Sequence, residues 1–325
     1  MLMKKKRNRI SLMILPILLI FFASSCGNRQ NIRFGSAEIG GNYYIIAQAI
    51  AGFLKEDNEN LEIDVKKTAG SAANLRLLSD NYIQLGISQT DVLNDAYYGT
   101  GMFSGDNPLK GYSAIAGLYT EACQIVTRKG SGINNVMDLQ GKRISVGEDE
   151  SGTEQNAEQI LLAYGLNDKL VEKVNLNYTD AADQLQKGRI DAFFCTAGMQ
   201  TTVVEELARR TGIRLISIGT DEIRTLRDSY EYYSECTIPA GTYTGQEEDV
   251  ETVAVKAVLL ADDQLSEAVV KKITASLFSH ASELQLAIPV DFSVTPEIAV
   301  ENIPVPFHKG ASAYYKEQGV IIPEE

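Results

Sequence analysis

The same order of predicted strands and helices occurs twice along this chain, and this repeat limits the possible folds more than any other feature. The first pass alternates strand and helix over residues 32–34, 44–54, 61–67, 72–79 and 82–87. The second pass does the same over residues 143–146, 153–164, 173–177, 179–187, 190–195, 202–211 and 213–218. Strands that alternate with helices form βαβ units and parallel sheets. The sequence therefore predicts an α/β protein with two lobes and parallel-dominated sheets.

Two stretches interrupt the alternation and predict crossings between the lobes. Residues 113–119 and 123–128 read as two apolar strands joined without a helix, which predicts the outward crossing. The polar, tyrosine-rich stretch 221–244 predicts the return. Residues 252–260 then read as a strand of the first lobe, followed by helices near 264–282 and 311–318. The predicted division is lobe I at residues 32–120 plus 233–325, and lobe II at residues 121–232.

The amino-terminal segment has the layout of a secretory signal. A basic head is followed by an apolar run of about a dozen residues, too short to span a membrane, and then by small residues. Cys26 follows Ala23, Ser24 and Ser25, as in a bacterial lipobox, in which the cysteine is lipidated after cleavage. We predict a lipoprotein signal peptide at residues 1–25 and a lipidated tether at 26–31. The alternative is ordinary secretion with an incidental cysteine.

Charge and composition exclude several classes of protein. The formal net charge is −13, and without residues 1–25 the chain has 25 Lys and Arg against 43 Asp and Glu. Nucleic acid is therefore not an expected partner, because phosphate binding needs a basic surface. The two histidines cannot supply a catalytic relay or a zinc cage, and no phosphate loop or nucleophile elbow is present. We expect no cofactor, no metal and no catalytic residue.

Three further cysteines, Cys123, Cys195 and Cys236, lie in apolar or strand-like runs. Two interpretations stay open for them. They are either small buried hydrophobic residues or one disulfide with a free thiol.

Small polar clusters follow the predicted strands at corresponding places in both passes. Each cluster precedes a helix, so that unpaired backbone N–H groups and the positive end of the helix dipole favour an anion there. The clusters lie at 40–41, 68–74, 88–91, 151–153 and 196–198. For any single cluster, helix capping without a ligand is the alternative, and Ser71, Ser151 and Thr153 are suitable caps. Their position at one edge of two lobes predicts a shared cleft.

At these clusters the chain resembles the TAXI branch of solute-binding proteins from tripartite ATP-independent periplasmic (TRAP) transporters. The resemblance covers nearly all of the predicted mature chain in order. The matching stretches are 40–44, 70–78, 89–92, 139–147, 151–157, 190–194, 238–243 and 308–311.

The resemblance implies a type II periplasmic-binding-protein fold, with two hinge crossovers and a ligand cleft between the lobes. The family binds small carboxylates such as glutamate and 2-oxoglutarate. Its ligand-binding loops correspond here to Gly41, Tyr43, Ser71, Asn74, Gln89, Ser151, Gly152, Thr153, Asn156, Thr196, Ala197 and Gly198. Glu38 departs from the family's Thr/Gly-rich first loop. Either Glu38 points to solvent or the ligand carries an amino group.

The expected function is capture of a small organic anion, a dicarboxylate or an acidic amino acid, for TRAP permease subunits. We expect a monomer held at the outer face of a membrane by its lipid anchor. Two alternatives from other classes remain. One is a sensor that passes its signal to a membrane receptor. The other is an enzyme on the same fold that uses Glu38, Asp91 or Glu154.

Overall fold

The computed structural model describes residues 30–39, 41–57, 61–288 and 294–323. Cys26, the predicted signal peptide and most of the predicted tether lie outside the described residues, as does Gly40. Among the described residues, no helix combines the length and apolar character that a membrane span requires.

The first strand–helix set carries the pattern of the first pass. Its elements are β1 (Gln30–Gly35), α1 (Asn42–Asp57), β2 (Leu61–Lys66), α2 (Ser71–Ser79), β3 (Leu85–Gln89) and α3 (Thr90–Tyr98). In α1, Ile46, Ile50 and Leu54 recur every four residues and are buried, which places one face of the helix on the sheet. Helix α3 was not predicted from the sequence. It begins directly after Gln89, without the loop that separates the other strands from their helices.

A 17-residue strand, β4 (Tyr112–Arg128), leads from the first set to the second. The second strand–helix set follows it. Its elements are β5 (Arg143–Ser145), α4 (Gly152–Ala163), β6 (Glu172–Val174), α5 (Tyr178–Gln186), β7 (Ala192–Ala197), α6 (Thr202–Thr211) and β8 (Ile213–Leu215). Two 3-10 turns, Gly101–Phe103 and Val136–Leu139, flank β4. The two apolar strands predicted at 113–119 and 123–128 are thus a single strand.

The remaining elements follow the second set in the chain, and some pack with the first set and others with the second. They are α7 (Thr220–Ser229), β9 (Ser234–Ile238), β10 (Val250–Asp262), α8 (Glu267–Ser279), α9 (Ala281–Ala287), α10 (Pro296–Ala299) and α11 (Lys309–Glu317). His308 caps α11, and its Nδ1 accepts a hydrogen bond from the Gly310 N–H at 3.1 Å.

All ten strands of the described chain form one continuous sheet. The main path runs in the order β2-β1-β3-β10-β4-β7-β5-β6, with β8 added to β4 and β9 added to β10. The pairs β1–β2, β1–β3, β5–β6 and β5–β7 are parallel, as the alternation predicts. The pairs that involve the long strands β4 and β10 are antiparallel.

The return between the two sets differs from its prediction. Residues 221–244 were expected to be the return crossing, but they contain α7 and β9. Ile238 and Tyr243 pack in one apolar cluster with Phe193 and Val204 of the second set. The chain comes back through β10, which pairs with β9 at Val250 and with β3 at Ala261. The polar composition of residues 221–244 reflects an exposed edge of the second set.

The cysteines resolve one of the alternatives left open by the sequence. Cys123, Cys195 and Cys236 are all free thiols, and the first two are buried. Burial raises the pKa of the Cys123 and Cys195 thiols, which keeps them neutral. They serve as small hydrophobic residues of the core.

Candidate functional site

A cavity lies where the first turns of helices from both sets meet. The volume accessible to the centre of a water molecule in this cavity is about 60 Å³. Nine of the twelve residues predicted to bind ligand line this cavity, namely Gly41, Tyr43, Ser71, Gln89, Ser151, Gly152, Thr153, Thr196 and Ala197. Gly198, Asn74 and Asn156 do not line it.

Four helices begin at the cavity wall, and the first residue of each lines the cavity: Asn42 of α1, Ser71 of α2, Gly152 of α4 and Tyr178 of α5. The first N–H of α5 is already bound to Glu38, which leaves α1, α2 and α4 as candidate donors. The first N–H groups of a helix have no partner within the helix and carry its positive partial charge. The cavity therefore offers a carboxylate several backbone donors from both sets.

The first set also contributes hydroxyl and amide groups. Ser71 Oγ accepts a hydrogen bond from the Gln89 N–H at 3.2 Å, which fixes the Ser71 side chain beside the end of β3. The Tyr43 hydroxyl donates to Glu121 Oε2 at 2.8 Å. Gln89 Oε1 and Asn42 Nδ2 are buried without a hydrogen-bond partner. Unpaired buried polar atoms are costly, so these two atoms are candidate contacts for a ligand.

The second set holds its side of the cavity with a chain of hydroxyl groups. The Tyr178 hydroxyl donates to the Thr196 carbonyl at 2.9 Å. It also lies 2.6 Å from Thr153 Oγ1, and because its own proton is already used, Thr153 donates this second hydrogen bond. Thr153 Oγ1 in turn accepts the Thr196 N–H at 3.3 Å. Ser151 caps α4 by accepting the Glu154 N–H at 3.1 Å, as predicted for a helix cap. These contacts hold α4 against the end of β7.

The two sets approach most closely at Gly152. A Cβ there would overlap the Gln89 side-chain oxygen and would lie 2.9 Å from Ser71 Oγ. Nearby, the Ala73 N–H donates to the Glu150 carbonyl at 3.2 Å. Glycine at position 152 therefore allows the first turn of α4 to reach the residues at the end of β3.

The charged residues that line the cavity are all acidic. They are Glu38, Glu121 and Glu148, and no Lys, Arg or His is among the described residues that line it. Glu38 is half-buried, and its Oε2 accepts the Tyr178 N–H at 3.0 Å, at the start of α5. Glu38 faces the cavity rather than solvent alone, and its carboxylate lies at the first turn of α5, so the alternative of a ligand with an amino group stays open.

Glu121 lies on β4 and is only 2% exposed. Its Oε2 accepts from Tyr43 and its Oε1 accepts from Tyr119, each at 2.8 Å. Burial raises the pKa of Glu121 to about 7, against the lowering effect of the hydrogen bonds from Tyr43, Tyr119 and Gln89. In the sequence, Glu121 lies between the apolar runs 113–119 and 123–128, where a charge indicates a break between two strands.

Asn74 and Asn156 have other partners. Asn74 Nδ2 donates to the carbonyls of Ser36 and Ile87 at 2.7 and 2.8 Å, and its Oδ1 accepts from Thr68 at 2.8 Å. Asn156 Nδ2 donates to Asp91 Oδ2 at 2.6 Å and to the Tyr233 hydroxyl at 2.7 Å. Asn74 therefore binds strands of the first set together, whereas Asn156 joins the second set to the first.

The contact between Asn156 and Asp91 belongs to a buried polar group beside the cavity. Gln155 Nε2 donates to Asp95 Oδ2 at 3.1 Å, and the Tyr233 hydroxyl donates to Gln159 Oε1 at 2.6 Å. Burial raises the pKa of Asp91 to about 7. Asp91 and Glu154, two acids considered for a catalytic role, do not line the cavity.

The cavity also includes residues that were not predicted from the sequence to bind ligand. They are Ala37, Glu38, Asn42, Ala69, Gly70, Glu121, Glu148, Asn177 and Tyr178. Several of them are adjacent in sequence to predicted residues, so a prediction that included the neighbouring loop positions would have contained them. Tyr178 begins the second helix after β5 and carried no separate signal.

Solved structures with the same arrangement identify the fold. The chain is similar to a structure described as a periplasmic transporter, at 14% identity with a TM-score of 0.53, over 88% of this chain and 92% of that chain. It is also similar to a protein from Bordetella bronchiseptica RB50, at 15% identity with a TM-score of 0.53, over 90% of this chain and 85% of that chain. A third is a protein described as an L-cystine ABC transporter from Listeria monocytogenes, at 15% identity with a TM-score of 0.51, over 79% of this chain and 94% of that chain.

Fold and cavity together thus define a protein with the two-lobe architecture of periplasmic binding proteins, as predicted from the sequence. Within that class the chain belongs to the NMT1-like family, whose model matches residues 34–319. The match begins in β1 and ends just after α11, so it includes every described residue of the cavity.

Proposed function

We propose that this protein is an extracytoplasmic solute-binding lipoprotein that captures a small organic anion and delivers it to a membrane permease. The dicarboxylates and acidic amino acids, including glutamate and 2-oxoglutarate, are the proposed ligand class. The observation that carries the proposal is the convergence of three helix starts, α1, α2 and α4, on one cavity between the two sets.

Capture proceeds by closure of two lobes on the ligand. A carboxylate enters at the free N–H groups of α2 from one side, and α4 then adds its own from the other side. The long strands β4 and β10 are the connections about which the lobes move. The proposed division is lobe I at residues 32–120 plus 233–325 and lobe II at residues 121–232. Ile238, Tyr243 and Val250 pack with residues of the second set, which favours a return within β10.

Delivery to a TRAP-type permease rests on the family resemblance of the loops. The similar protein from Listeria monocytogenes is described as belonging to an ABC transporter. A sensor that signals to a membrane receptor would use the same closure. Genes next to this one separate these options, because each requires a different membrane partner.

The proposal is tested by identifying what the protein binds. Small molecules released from the purified protein on denaturation are identified by mass spectrometry and then added back. At a hundredfold excess over its dissociation constant, the ligand should stabilise the fold by about 2.7 kcal/mol. Recovery of the ligand unchanged supports binding, whereas recovery of a converted product in more than stoichiometric amount supports the enzyme.

The lipid anchor has its own test. Replacement of Cys26 by Ser removes the thiol that a lipid would modify, so the variant should move from the membrane fraction to the soluble fraction. A variant that remains with the membrane would leave ordinary secretion, or another mode of attachment, as the explanation.

A further inference from the structure

The carboxylate of Glu121 is the group in the cavity whose burial most needs an explanation. It is buried on β4, and no Lys, Arg or His among the described cavity residues balances its charge. Its hydrogen-bond partners are all neutral: a tyrosine hydroxyl on each oxygen, and the Gln89 side chain. A carboxylate accepts up to about four hydrogen bonds, so there is room for a further donor. A buried charge without a counter-charge is unfavourable, and this one faces the space where a ligand binds.

A second acceptor lies beside it. Gln89 is 3% exposed, and its Oε1 has no hydrogen-bond partner. The same side chain hydrogen-bonds the Glu121 carboxylate, which helps to lower the pKa of that group. Two buried acceptors therefore lie next to each other in the cavity wall: Gln89 Oε1 lacks a donor, and the Glu121 carboxylate lacks a counter-charge.

Hydrogen-bond donors also line the same cavity. Asn42 Nδ2 is a buried donor without a partner, and it lies in the first turn of α1. The first turns of α2 and α4 add unpaired backbone N–H groups. The cavity wall thus carries donors that suit a carboxylate next to acceptors that suit a cation, with the first turns of α2 and α4 beside Gln89.

We propose that the ligand is an amino acid whose ammonium group binds Glu121 and Gln89 Oε1 while its carboxylate binds the helix starts. This inference rests on the proposed function and deepens it, because it selects amino acids over dicarboxylates that lack an amino group. An ammonium group supplies three donors and the positive charge that Glu121 lacks. Glu121 is the residue that determines this preference.

The experiment compares pairs of compounds that differ at the amino group. Binding of L-glutamate and 2-oxoglutarate, and of L-alanine and pyruvate, is measured by calorimetry on the purified protein. We expect the amino acid of at least one pair to bind at least tenfold more tightly than its oxo acid. Equal or tighter binding of the oxo acids in both pairs overturns the ammonium site but leaves solute binding intact. If no amino acid in a wider panel binds, the inference fails. If no small solute binds or co-purifies, the proposed function fails as well.

Two variants assign the preference to Glu121. Glu121→Gln keeps the size of the side chain but removes its charge and replaces one acceptor oxygen with an NH₂ donor. It should weaken amino-acid binding tenfold to a hundredfold and reduce the preference over the oxo acid. Glu251→Gln, an exposed residue of the other long strand, is the matched control and should change neither. An unchanged preference in a folded Glu121→Gln protein overturns the role of Glu121.

The pH dependence of binding separates an ammonium contact from its main alternative, in which a protonated Glu121 donates to a carboxylate. An ammonium prefers ionised Glu121, so affinity should rise as the pH increases through about 7 and then level off. A carboxylate bound to protonated Glu121 would show the reverse. The groups that act electrostatically on Glu121 are Tyr43, Tyr119, Tyr178, Cys123, Cys195 and Asp91.

Among these groups, only Asp91 titrates in the same range, since burial raises the pKa of the tyrosines and of the two cysteines. The profile is therefore repeated in Asp91→Asn. A rise in affinity with pH that persists in Asp91→Asn and is lost in Glu121→Gln supports the inference. A fall in affinity with pH in Asp91→Asn overturns it.

Discussion

Asn74 and Asn156 occupy similar places in the two strand–helix sets but hold different parts of the molecule together. Each lies three residues after a hydroxyl residue, Ser71 or Thr153, near the start of a helix, and each is fully buried. The hydrogen bonds of Asn74 stay within the first set, to Ser36, Thr68 and Ile87. Those of Asn156 reach Asp91 in the first set.

The difference separates stability from closure. The contacts of Asn74 exist whenever the first set is folded, because all three partners belong to it. The contact between Asn156 and Asp91 requires the two sets to be close together. The same residue type at corresponding positions thus supports the fold of one set in one case and a contact between the two sets in the other, where the proposed closure would act.

The largest expected effect on folding comes from Asn74→Ala. The variant loses three side-chain hydrogen bonds, two of them buried, which should lower the free energy of unfolding by about 2–4 kcal/mol. Urea denaturation followed by circular dichroism measures this loss. Asn167→Ala, in an exposed loop, serves as a control that should change stability little. A loss for Asn74→Ala no larger than that of the control would remove Asn74 from the framework of the first set.

Asn156→Ala should act mainly on ligand binding. Closure loses a hydrogen bond to a charged group, worth about 1.5–3 kcal/mol, so affinity should fall roughly tenfold to a hundredfold. Calorimetry with the co-purified ligand gives the affinity, and small-angle scattering shows whether the ligand still compacts the protein. The contrast with Asn74 breaks down if Asn156→Ala loses as much unfolding free energy as Asn74→Ala and binds normally.

Asp91→Asn sharpens the comparison through pH and has the smallest expected effect. The pKa of an aspartate in an unfolded chain is about 3.9, whereas burial raises the pKa of Asp91 to about 7. Between these values the folded protein holds a proton that the unfolded chain has lost, so Asp91 makes stability fall as the pH rises from about 4 to about 7. Wild-type protein should therefore lose more stability than Asp91→Asn between pH 5.5 and pH 8. Urea denaturation at both values tests this, and identical losses would contradict it.

The sequence predicted much of the cavity because the cavity follows from chain order. Residues such as Ser71 and Gly152 stand where a strand ends and a helix begins, and in parallel sheets these points meet at one edge. Asn74 and Asn156 also lie near these points, in the first turns of α2 and α4. Chain order does not determine their partners, since it fixes the helix but not the element that packs against it.

Glu121 shows the other limit of the sequence. An acid between two apolar runs usually indicates a turn, and here it interrupts the predicted strand. Its burial depends on Tyr43, which is 78 residues away along the chain and donates to it from the first turn of α1. Local pattern contains no information about such a distant donor, so a strand that carries a buried acid was interpreted as two strands.

The position of β10 in the sheet has a consequence for the order in which the chain can fold. The strand lies between β3 and β4, although both are synthesised more than a hundred residues earlier. Until residues 250–262 emerge, β3 and β4 each have an open edge facing the gap that β10 will fill, and open edges attract foreign strands. A nascent chain of this protein therefore needs protection through most of its synthesis. For a chain exported unfolded, that delay is an advantage, because the first lobe cannot close before the last strand of its sheet has been made.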